Sequence, residues 1–399
     1  MLKEGQLRVT YGGWYQRTTL HLSEVHFLFM GGESKLNLSK EKLKKLHKSL
    51  HLVKVSREPG YFEYVRAVTE SGIEIRYYED GLYTLEIITD NAEDIDKTHQ
   101  TLEDYFQTRL QPALSYIFSR GAPTPKQLAN IKTVHPVVVS FREKENSKEG
   151  NTFKVDESIF GEVYSKITSN NLTVYKTPKY IFISASTGST KSLVDLIGMQ
   201  IFFREFKDQL EKYLHIHRTI WEEISTIKEA KVIKGKDVET LRGKLDTYQK
   251  TINLISNRIN QMGSYVSTRS SIAKHLEIEK DLVQLFEYKF ETLTDTLTYI
   301  KEIWKMTGDY LASAIANMVE IKNQSTSNNL KSLQTITSIG VISGVLGYLS
   351  ASKLPSISFS GLIYFIILFG MTWLMNYVII RKYKNKEYSL KFGERAKNL

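Results

Sequence analysis

The sequence predicts an α+β cytoplasmic domain, a long helical stalk and two C-terminal transmembrane helices. Alternating apolar residues between glycine turns indicate strands in the first 90 residues. Long amphipathic patterns indicate helices from residue 192 onwards. Two apolar segments follow, 330–349 and 359–380. The second carries no charged residue and is long enough to cross the roughly 30 Å hydrocarbon core of a bilayer as a helix.

The first 190 residues mix strand and helix patterns. An acidic first turn with Glu93 and Asp94 opens a predicted helix over 91–119. A second helix is predicted over 157–168, and the Gly/Pro segment 121–125 reads as a linker. The predicted strands are 7–11, 19–22, 25–29, 51–55, 61–65, 136–141, 172–175 and 180–184.

Three long helices are predicted next, over 192–229, 236–262 and 271–349. The second has a near-heptad stripe of apolar residues, which favours packing of helix on helix; its members are Leu241, Leu245, Tyr248, Ile252, Ile255, Ile259 and Met262. A continuous third helix would extend about 118 Å at 1.5 Å per residue, the length of a stalk rather than of one domain.

These patterns divide the chain into seven segments. Basic residues are retained on the cytoplasmic side of a membrane, so both termini are expected inside. Four basic residues that follow the second apolar segment are predicted to form a ring on the cytoplasmic side: Arg381, Lys382, Lys384 and Lys386. The expected location is the inner membrane of a bacterium or archaeon. The segments are an α+β domain (1–125), a second α+β segment (126–190), the helix bundle and stalk (191–329), transmembrane helix 1 (330–349), an external loop (350–358), transmembrane helix 2 (359–380) and a basic tail (381–399).

Composition excludes several classes of function. The net charge is +10, and half of it lies in residues 381–399, where seven basic residues face two acidic ones (7 − 2 = +5). We therefore expect contact with lipid rather than direct binding of nucleic acid. The chain contains no cysteine, which excludes disulfides and thiolate metal sites. No leader peptide is recognised at the N-terminus. No catalytic motif is recognised either, so no enzymatic activity is expected.

The first apolar segment contains many polar and small residues, which in a membrane face protein or a water-filled lumen. A ring of such helices would enclose a pore. The predicted lining comprises Asn328, Asn329, Leu330, Leu333, Thr337, Val341, Gly344 and Tyr348. Alternatively, the small residues only allow two helices of a membrane anchor to pack closely.

This layout resembles the CorA family of divalent-cation channels. The stretch Asn328-Asn329-Leu330-Lys331-Ser332-Leu333 is similar to the family's entry to its first span, and Arg381-Lys382-Tyr383-Lys384 is similar to its basic exit. The resemblance implies a homopentamer with a pore on the five-fold axis. The Gly-Met-Asn signature of the family is absent, because Gly347-Tyr348-Leu349-Ser350 stands where it is expected.

In its missing triplet and enlarged soluble domain, the chain resembles the CorA-like effectors of type III CRISPR defence. That resemblance implies a membrane channel gated by a nucleotide of the S-adenosylmethionine–AMP or cyclic oligoadenylate class. One alternative is a housekeeping magnesium or cobalt transporter, with Mg²⁺ as permeant or regulatory ion. Another is a membrane-anchored scaffold that conducts nothing.

A candidate phosphate site precedes the first long helix. Amide groups at a helix N-terminus attract anions, and the segment 186–192 is rich in Ser and Thr. The alternative is an ordinary Ser/Thr helix cap. The predicted nucleotide contacts are Gly188, Ser189, Thr190, Lys191 and, on the same helix, Arg204.

Overall fold

The computed structural model contains two compact units. Unit 1 comprises Met1–Ile216 and Leu254–Glu302, and unit 2 comprises His217–Asn253 and Ile303–Leu399. The structure describes residues 6–16, 21–119, 136–142, 155–169, 172–185, 190–230, 232–349 and 359–389.

Unit 1 contains a nine-stranded sheet with the strand order β2-β3-β4-β5-β1-β6-β9-β8-β7. Neighbouring strands are antiparallel except β6 and β9, which are parallel. One sheet therefore joins the strands on both sides of the predicted linker, which lies outside the described residues. The strands are β1 (Leu7–Trp14), β2 (Leu52–Glu58), β3 (Tyr64–Thr69), β4 (Glu74–Tyr78), β5 (Leu82–Thr89), β6 (Val137–Arg142), β7 (Ser165–Ser169), β8 (Leu172–Lys176) and β9 (Tyr180–Ala185).

The described helices before residue 190 are short, and those after it are long except the one at Glu279–Phe286. The short ones are α1 (Leu22–Gly31), α2 (Lys40–Leu50), α3 (Ile95–Tyr105), α4 (Gln111–Phe118) and α5 (Glu157–Phe160), with a π turn at Phe106–Leu110 between α3 and α4. The others are α6 (Thr190–Lys228), α7 (Val238–His275), α8 (Glu279–Phe286), α9 (Phe290–Leu349) and α10 (Phe359–Lys384).

The two faces of the sheet differ in chemistry because side chains alternate along each strand. On one face, Val9, Ala67 and Ile75 are fully buried in a core that also contains apolar residues of α1 to α4. On the other face, charged and aromatic side chains stand among apolar ones. Trp14 packs there against Phe206 of α6, with 5.4 Å between the ring centroids.

Most strand predictions are confirmed, but two segments were assigned the wrong structure. The strand predicted over 19–22 lies partly outside the described residues, and Leu22 begins helix α1. The strand predicted over 25–29 belongs to helix α1, because Val25, Leu28 and Phe29 lie at helical spacing and are all buried. The helix predicted over 157–168 ends after one turn at Gly161, whose φ is +83°, and β7 follows. The predicted helix over 91–119 is confirmed, with the π turn inside it.

The predicted continuous helix over 271–349 is wrong. Glu277 and Glu287 adopt the left-handed region, with φ of 58° and 62°, and each ends a helix. The amide of Glu287 donates to the Val283 carbonyl and the amide of Tyr288 to the Leu282 carbonyl, at 3.0 and 3.1 Å. This closes α8 in the manner usually provided by glycine. Helix α9 then runs over 60 residues.

Unit 2 combines helix segments with a small β-ribbon. Strands β10 (Val232–Lys234) and β11 (Glu387–Ser389) pair antiparallel, and Ile233 and Tyr388 are buried opposite each other. Trp221 stacks on Tyr310, with 4.4 Å between the ring centroids. Part of the predicted basic tail is therefore ordered in a ribbon, whereas residues 390–399 lie outside the described residues.

In the part of the chain that the structure describes, no helix is both long enough and apolar enough to cross a membrane. This contradicts the two transmembrane helices of the predicted fold and the predicted multi-pass location in the plasma membrane. Polar side chains reduce the apolar character of the first predicted span: Gln334, Ser338 and Ser343 lie in α9. The predicted external loop, 350–358, lies outside the described residues.

Candidate ligand-binding cavity

Unit 1 contains a cavity of about 330 Å³ above strands β3 and β4, which we call the β3–β4 cavity. Its lining combines aromatic rings, two guanidinium groups and one carboxylate. The aromatic part comprises Tyr61, Phe62, Tyr64 and Tyr78, and the charged part comprises Arg76, Asp195 and Arg269. This mixture of flat apolar surfaces and a few polar groups is typical of small-molecule sites.

Strand pairing brings the first wall together. Tyr64 pairs with Tyr78 and Arg66 with Arg76 across the β3–β4 ladder, so all four lie on one face of the sheet. The Tyr64 and Tyr78 ring centroids are 5.1 Å apart. Tyr61 lies in the preceding turn and is 56 % exposed. Rings held by a sheet provide a preformed stacking surface.

Helices α6 and α7 supply the other walls. Gly198 lies on the first part of α6, and a Cβ atom added there would lie 3.6 Å from Leu82 Cδ2. The absence of a side chain at this position leaves space over the strands. Ile272 and Arg269 come from α7.

Arg269 is fixed by a buried ion pair. Its Nε lies 2.7 Å from Asp80 Oδ2 and its Nη2 lies 2.8 Å from Asp80 Oδ1. The Arg269 side chain is 6 % exposed and the Asp80 side chain is 0 % exposed. Leu82 and Trp14 hold the turn around Asp80, because the Leu82 amide donates to Asp80 Oδ1 and Trp14 Nε1 donates to the Asp80 carbonyl. The guanidinium also lies 4.7 Å from the Phe62 ring centroid, a cation–π distance.

Arg76 belongs to a network of ion pairs on the same sheet face. Its Nη2 lies 2.6 Å from Glu74 Oε1 and 3.5 Å from Glu86 Oε2. Burial raises the pKa of Glu74, but the hydrogen bond from Arg66 and the charge of Arg76 outweigh that effect and lower it to about 2. Burial raises the pKa of Glu86 against the opposing charges of Arg76 and Arg8. The arginines are thus held in place by carboxylates.

Each guanidinium retains donors for a ligand. Arg269 donates to Asp80 through its Nε and Nη2 groups. Arg76 donates to Glu74 through its own Nε and Nη2 groups. Within the described ranges, no acceptor is bonded to Nη1 of either residue. Two N–H-bearing groups at the cavity wall can therefore bind a ligand oxygen.

Asp195 provides the acceptor of the site. Its side chain is exposed at the mouth of the cavity, yet the nearby walls remove part of its hydration and raise its pKa, with Arg269 and Arg76 opposing the shift. In the part of the chain that the structure describes, Asp195 forms no ion pair. A carboxylate in this position can accept a hydrogen bond from an amino or hydroxyl group.

Only part of the predicted phosphate site falls within the described residues. Gly188 and Ser189 lie outside the described residues, and Thr190 and Lys191 begin helix α6. Arg204 is only 11 % exposed and donates to the carbonyls of Pro136 and Gly12, at 2.6 and 3.2 Å. Its role is therefore to hold β1 and the start of β6 against α6.

The predicted pore residues lie on α9, from Asn328 to Tyr348. Leu330, Leu333 and Val341 are 56 %, 49 % and 59 % exposed in the single chain. Thr337 and Gly344 are exposed as well, but so are Gln334, Ser338 and Gly340, so exposure does not single out the predicted stripe. Of the predicted basic ring, Arg381 and Lys382 are exposed in the last turns of α10, which ends at Lys384, and Lys386 is exposed just before β11.

Sequence patterns did not identify the cavity residues, although one signal was present. Tyr64 and Arg66 alternate with apolar Val65, and Arg76 and Tyr78 flank Tyr77, so two adjacent strands carry aromatic and basic residues on one face. The contribution of Arg269 comes from a helix almost 200 residues away in sequence, and no local pattern indicates such a pairing. Among the described residues, no cluster of His, Asp and Glu that could hold a metal ion is found.

Comparison with known proteins gives no relative for this chain: no family model, no curated protein and no solved structure matches it. The resemblance to CorA channels therefore stays a prediction from the sequence, as does the pentamer.

Proposed function

We propose that this protein is a receptor for a small nucleotide-class ligand, which binds in the β3–β4 cavity. The observation that supports this proposal is the combination of neighbouring aromatic rings with guanidinium donors in one preformed space. The proposal keeps the ligand class predicted from the sequence but moves its binding residues from the start of α6 to the cavity wall.

Nucleotides match this arrangement in three respects. A planar base stacks on aromatic rings such as Tyr61, which is exposed at the rim. A phosphate group accepts hydrogen bonds from the Nη1 groups of Arg76 and Arg269, which have no acceptor among the described residues. A base amino group or a ribose hydroxyl donates to Asp195.

The size of the cavity limits what is enclosed. About 330 Å³ lies at the lower end of the range for small-molecule pockets, roughly 300–1,000 Å³. One nucleotide fills this volume, and the rest of a larger ligand would extend past Tyr61 and Asp195 into solvent.

The test is a titration of the purified full chain with AMP, ATP and GMP by calorimetry, supported by thermal unfolding. A ligand that binds only the folded protein stabilises it by about 2.7 kcal/mol at a hundredfold excess over Kd. We expect binding of at least one nucleotide. Asp195→Ala and Tyr61→Ala should weaken binding, because the first removes the hydrogen-bond acceptor and the second removes the outer stacking surface.

Tyr164→Ala is the matched control for Tyr61→Ala. Tyr164 is 63 % exposed, lies in unit 1 and does not line the cavity. An equal loss of affinity in both tyrosine variants would contradict the proposed site. Failure of all three nucleotides to bind at millimolar concentration would contradict the ligand class.

Channel activity and divalent-metal transport are not included in this proposal. Both depend on membrane spans that the described helices do not provide. They stay predictions from the sequence.

A further inference from the structure

The two ends of the β3–β4 cavity differ in charge and in exposure. The guanidinium side chains of Arg269 and Arg76 are only 6 % and 14 % exposed, so the positive charge lies at the buried end. Tyr61 and Asp195 are both exposed. An aromatic ring and a carboxylate therefore occupy the mouth of the cavity.

This arrangement fixes the direction in which a nucleotide can bind. The guanidinium groups attract the phosphate and the Asp195 carboxylate repels it, so the phosphate belongs at the buried end. The ribose separates the phosphate from the base, and the base is therefore at the mouth. A base that stacks on Tyr61 then presents its edge on the side of the cavity where Asp195 lies.

The carboxylate of Asp195 has both oxygens available to a ligand. Among the described side chains, none donates a hydrogen bond to Asp195 or forms an ion pair with it. Gly198 follows three residues later on the same side of α6, and its lack of a side chain leaves space beside the carboxylate. An ionised carboxylate only accepts hydrogen bonds, and its two oxygens can accept two parallel ones.

The bases differ in the donors that they offer to such a group. Guanine presents two adjacent donors on its Watson–Crick edge, the N1–H group and the N2 amino group. Adenine presents the N6 amino group beside the lone pair of N1, and cytosine presents its N4 amino group beside the lone pair of N3. A carboxylate oxygen repels either lone pair. Guanine is thus the base whose edge matches both oxygens of a carboxylate.

We propose that the β3–β4 cavity selects guanine over adenine, and that Asp195 is the residue that determines this choice. The inference rests on the proposed nucleotide site and goes beyond it by naming the base. It differs from the adenine-containing ligands that the sequence resemblance implies. A matched bidentate pair discriminates against the wrong base by about 5- to 150-fold in affinity.

Calorimetric titration of the purified full chain with GMP, IMP and AMP tests the base choice. IMP has the N1–H group of guanine but lacks the N2 amino group. We therefore expect the affinity to fall in the order GMP, IMP, AMP, with GMP binding at least about fivefold more tightly than AMP.

Asp195→Asn tests the role of the residue. The new amide has one acceptor oxygen and one donor NH₂ group, which match the N6 donor and the N1 acceptor of adenine. The affinity for GMP should fall and the affinity for AMP should rise, a gain that a partly unfolded variant cannot produce. Asp104→Asn is the matched control and should keep the preference for GMP, because Asp104 is exposed on α3 and does not line the cavity.

Three results would overturn the base choice and leave the nucleotide site standing. The first is an affinity for AMP equal to or higher than that for GMP in the unmodified protein. The second is a preference for GMP that persists in Asp195→Asn. The third is an equal loss of affinity for GMP and AMP in that variant, which would place a ribose hydroxyl at Asp195. Failure of all three nucleotides to bind would instead contradict the nucleotide site itself, and this inference with it.

Discussion

Unit 1 and helix α10 use apolar residues in opposite ways. In unit 1, Val9, Ala67 and Ile75 are fully buried and the arginines of the sheet are paired with carboxylates. In α10, apolar side chains are exposed. Apolar content alone therefore does not indicate whether a segment stabilises its own chain. The packing of unit 1 contributes to its stability, whereas the surface of α10 remains available to another molecule.

The largest effect should come from the buried ion pair of unit 1. Asp80→Ala leaves the Arg269 guanidinium buried without its partner. Breaking a buried pair in this way costs about 3–5 kcal/mol, and we expect a loss of that size in the free energy of unfolding, measured by urea denaturation.

The double variant Asp80→Ala/Arg269→Met provides the control. It removes both charges, and replacing a buried pair by apolar residues is often close to neutral. We therefore expect recovery of most of the lost stability. A loss below about 1 kcal/mol in the single variant would mean that water reaches Arg269 and that the pair is not buried as described.

The same substitution at one isoleucine of unit 1 and at one isoleucine of α10 tests whether the two regions differ in their contribution to stability. Ile75 is 0 % exposed and Ile366 is 59 % exposed. Ile75→Ala should lower the free energy of unfolding by about 2–5 kcal/mol because it removes buried methyl groups and leaves a cavity. Ile366→Ala should change it by less than about 0.5 kcal/mol. A large loss at Ile366 would show that α10 packs within its own chain after all.

The third effect is a pH dependence from Glu74. Its pKa is lowered from 4.5 to about 2 in the folded protein, so between these values the unfolded chain binds more protons. The stabilisation that ionised Glu74 gives to the folded protein is fully present above about pH 4.5 and is lost as the pH falls towards 2. A shift of this size corresponds to about 3 kcal/mol at most, and solvent screening of the partly exposed side chain reduces it to about 1–2 kcal/mol.

Denaturation at a series of pH values measures this effect. The unmodified protein should lose stability between pH 4.5 and 2 more steeply than Glu74→Gln, which cannot titrate at this position. Parallel curves for the two proteins would contradict the role of Arg66 and Arg76 in lowering the pKa of Glu74.

Sequence periodicity predicted much of unit 1 because the physical cause is local. The alternation of Leu7 and Val9 with polar neighbours reflects one buried sheet face, and β1 is found there. The same rule failed at 25–29, where Val25, Phe27 and Phe29 match a strand period and Val25, Leu28 and Phe29 match a helix period. Burial of Val25, Leu28 and Phe29 against the sheet decided for the helix.

The candidate site could be predicted only in part. The sequence indicated a ligand site near the start of α6, and Asp195 and Gly198 of the cavity lie one to two turns into that helix. It did not indicate Arg269 or Asp80, because their contact joins residues far apart in the chain. Apolar length and charge indicated transmembrane helices, and the described helices do not meet that description.

The smallest predicted effect concerns the break between α8 and α9, where a continuous helix was predicted. Glu287 ends α8 with a φ of 62°, a conformation that costs a non-glycine residue about 1–2 kcal/mol. Glu287→Gly removes that cost but gives the unfolded chain more freedom, which offsets about 0.5–1 kcal/mol. We expect a net gain of about 0.5–1 kcal/mol in the free energy of unfolding.

The sign of this change distinguishes the two structures. In a helix that continued through residue 287, glycine would instead destabilise the protein by about 1 kcal/mol. Glu302→Gly is the matched control, because Glu302 is exposed in the interior of α9 and its φ is not positive. Stabilisation at 287 together with destabilisation at 302 would show that α8 and α9 are separate helices, whereas a loss at both positions would restore the continuous helix.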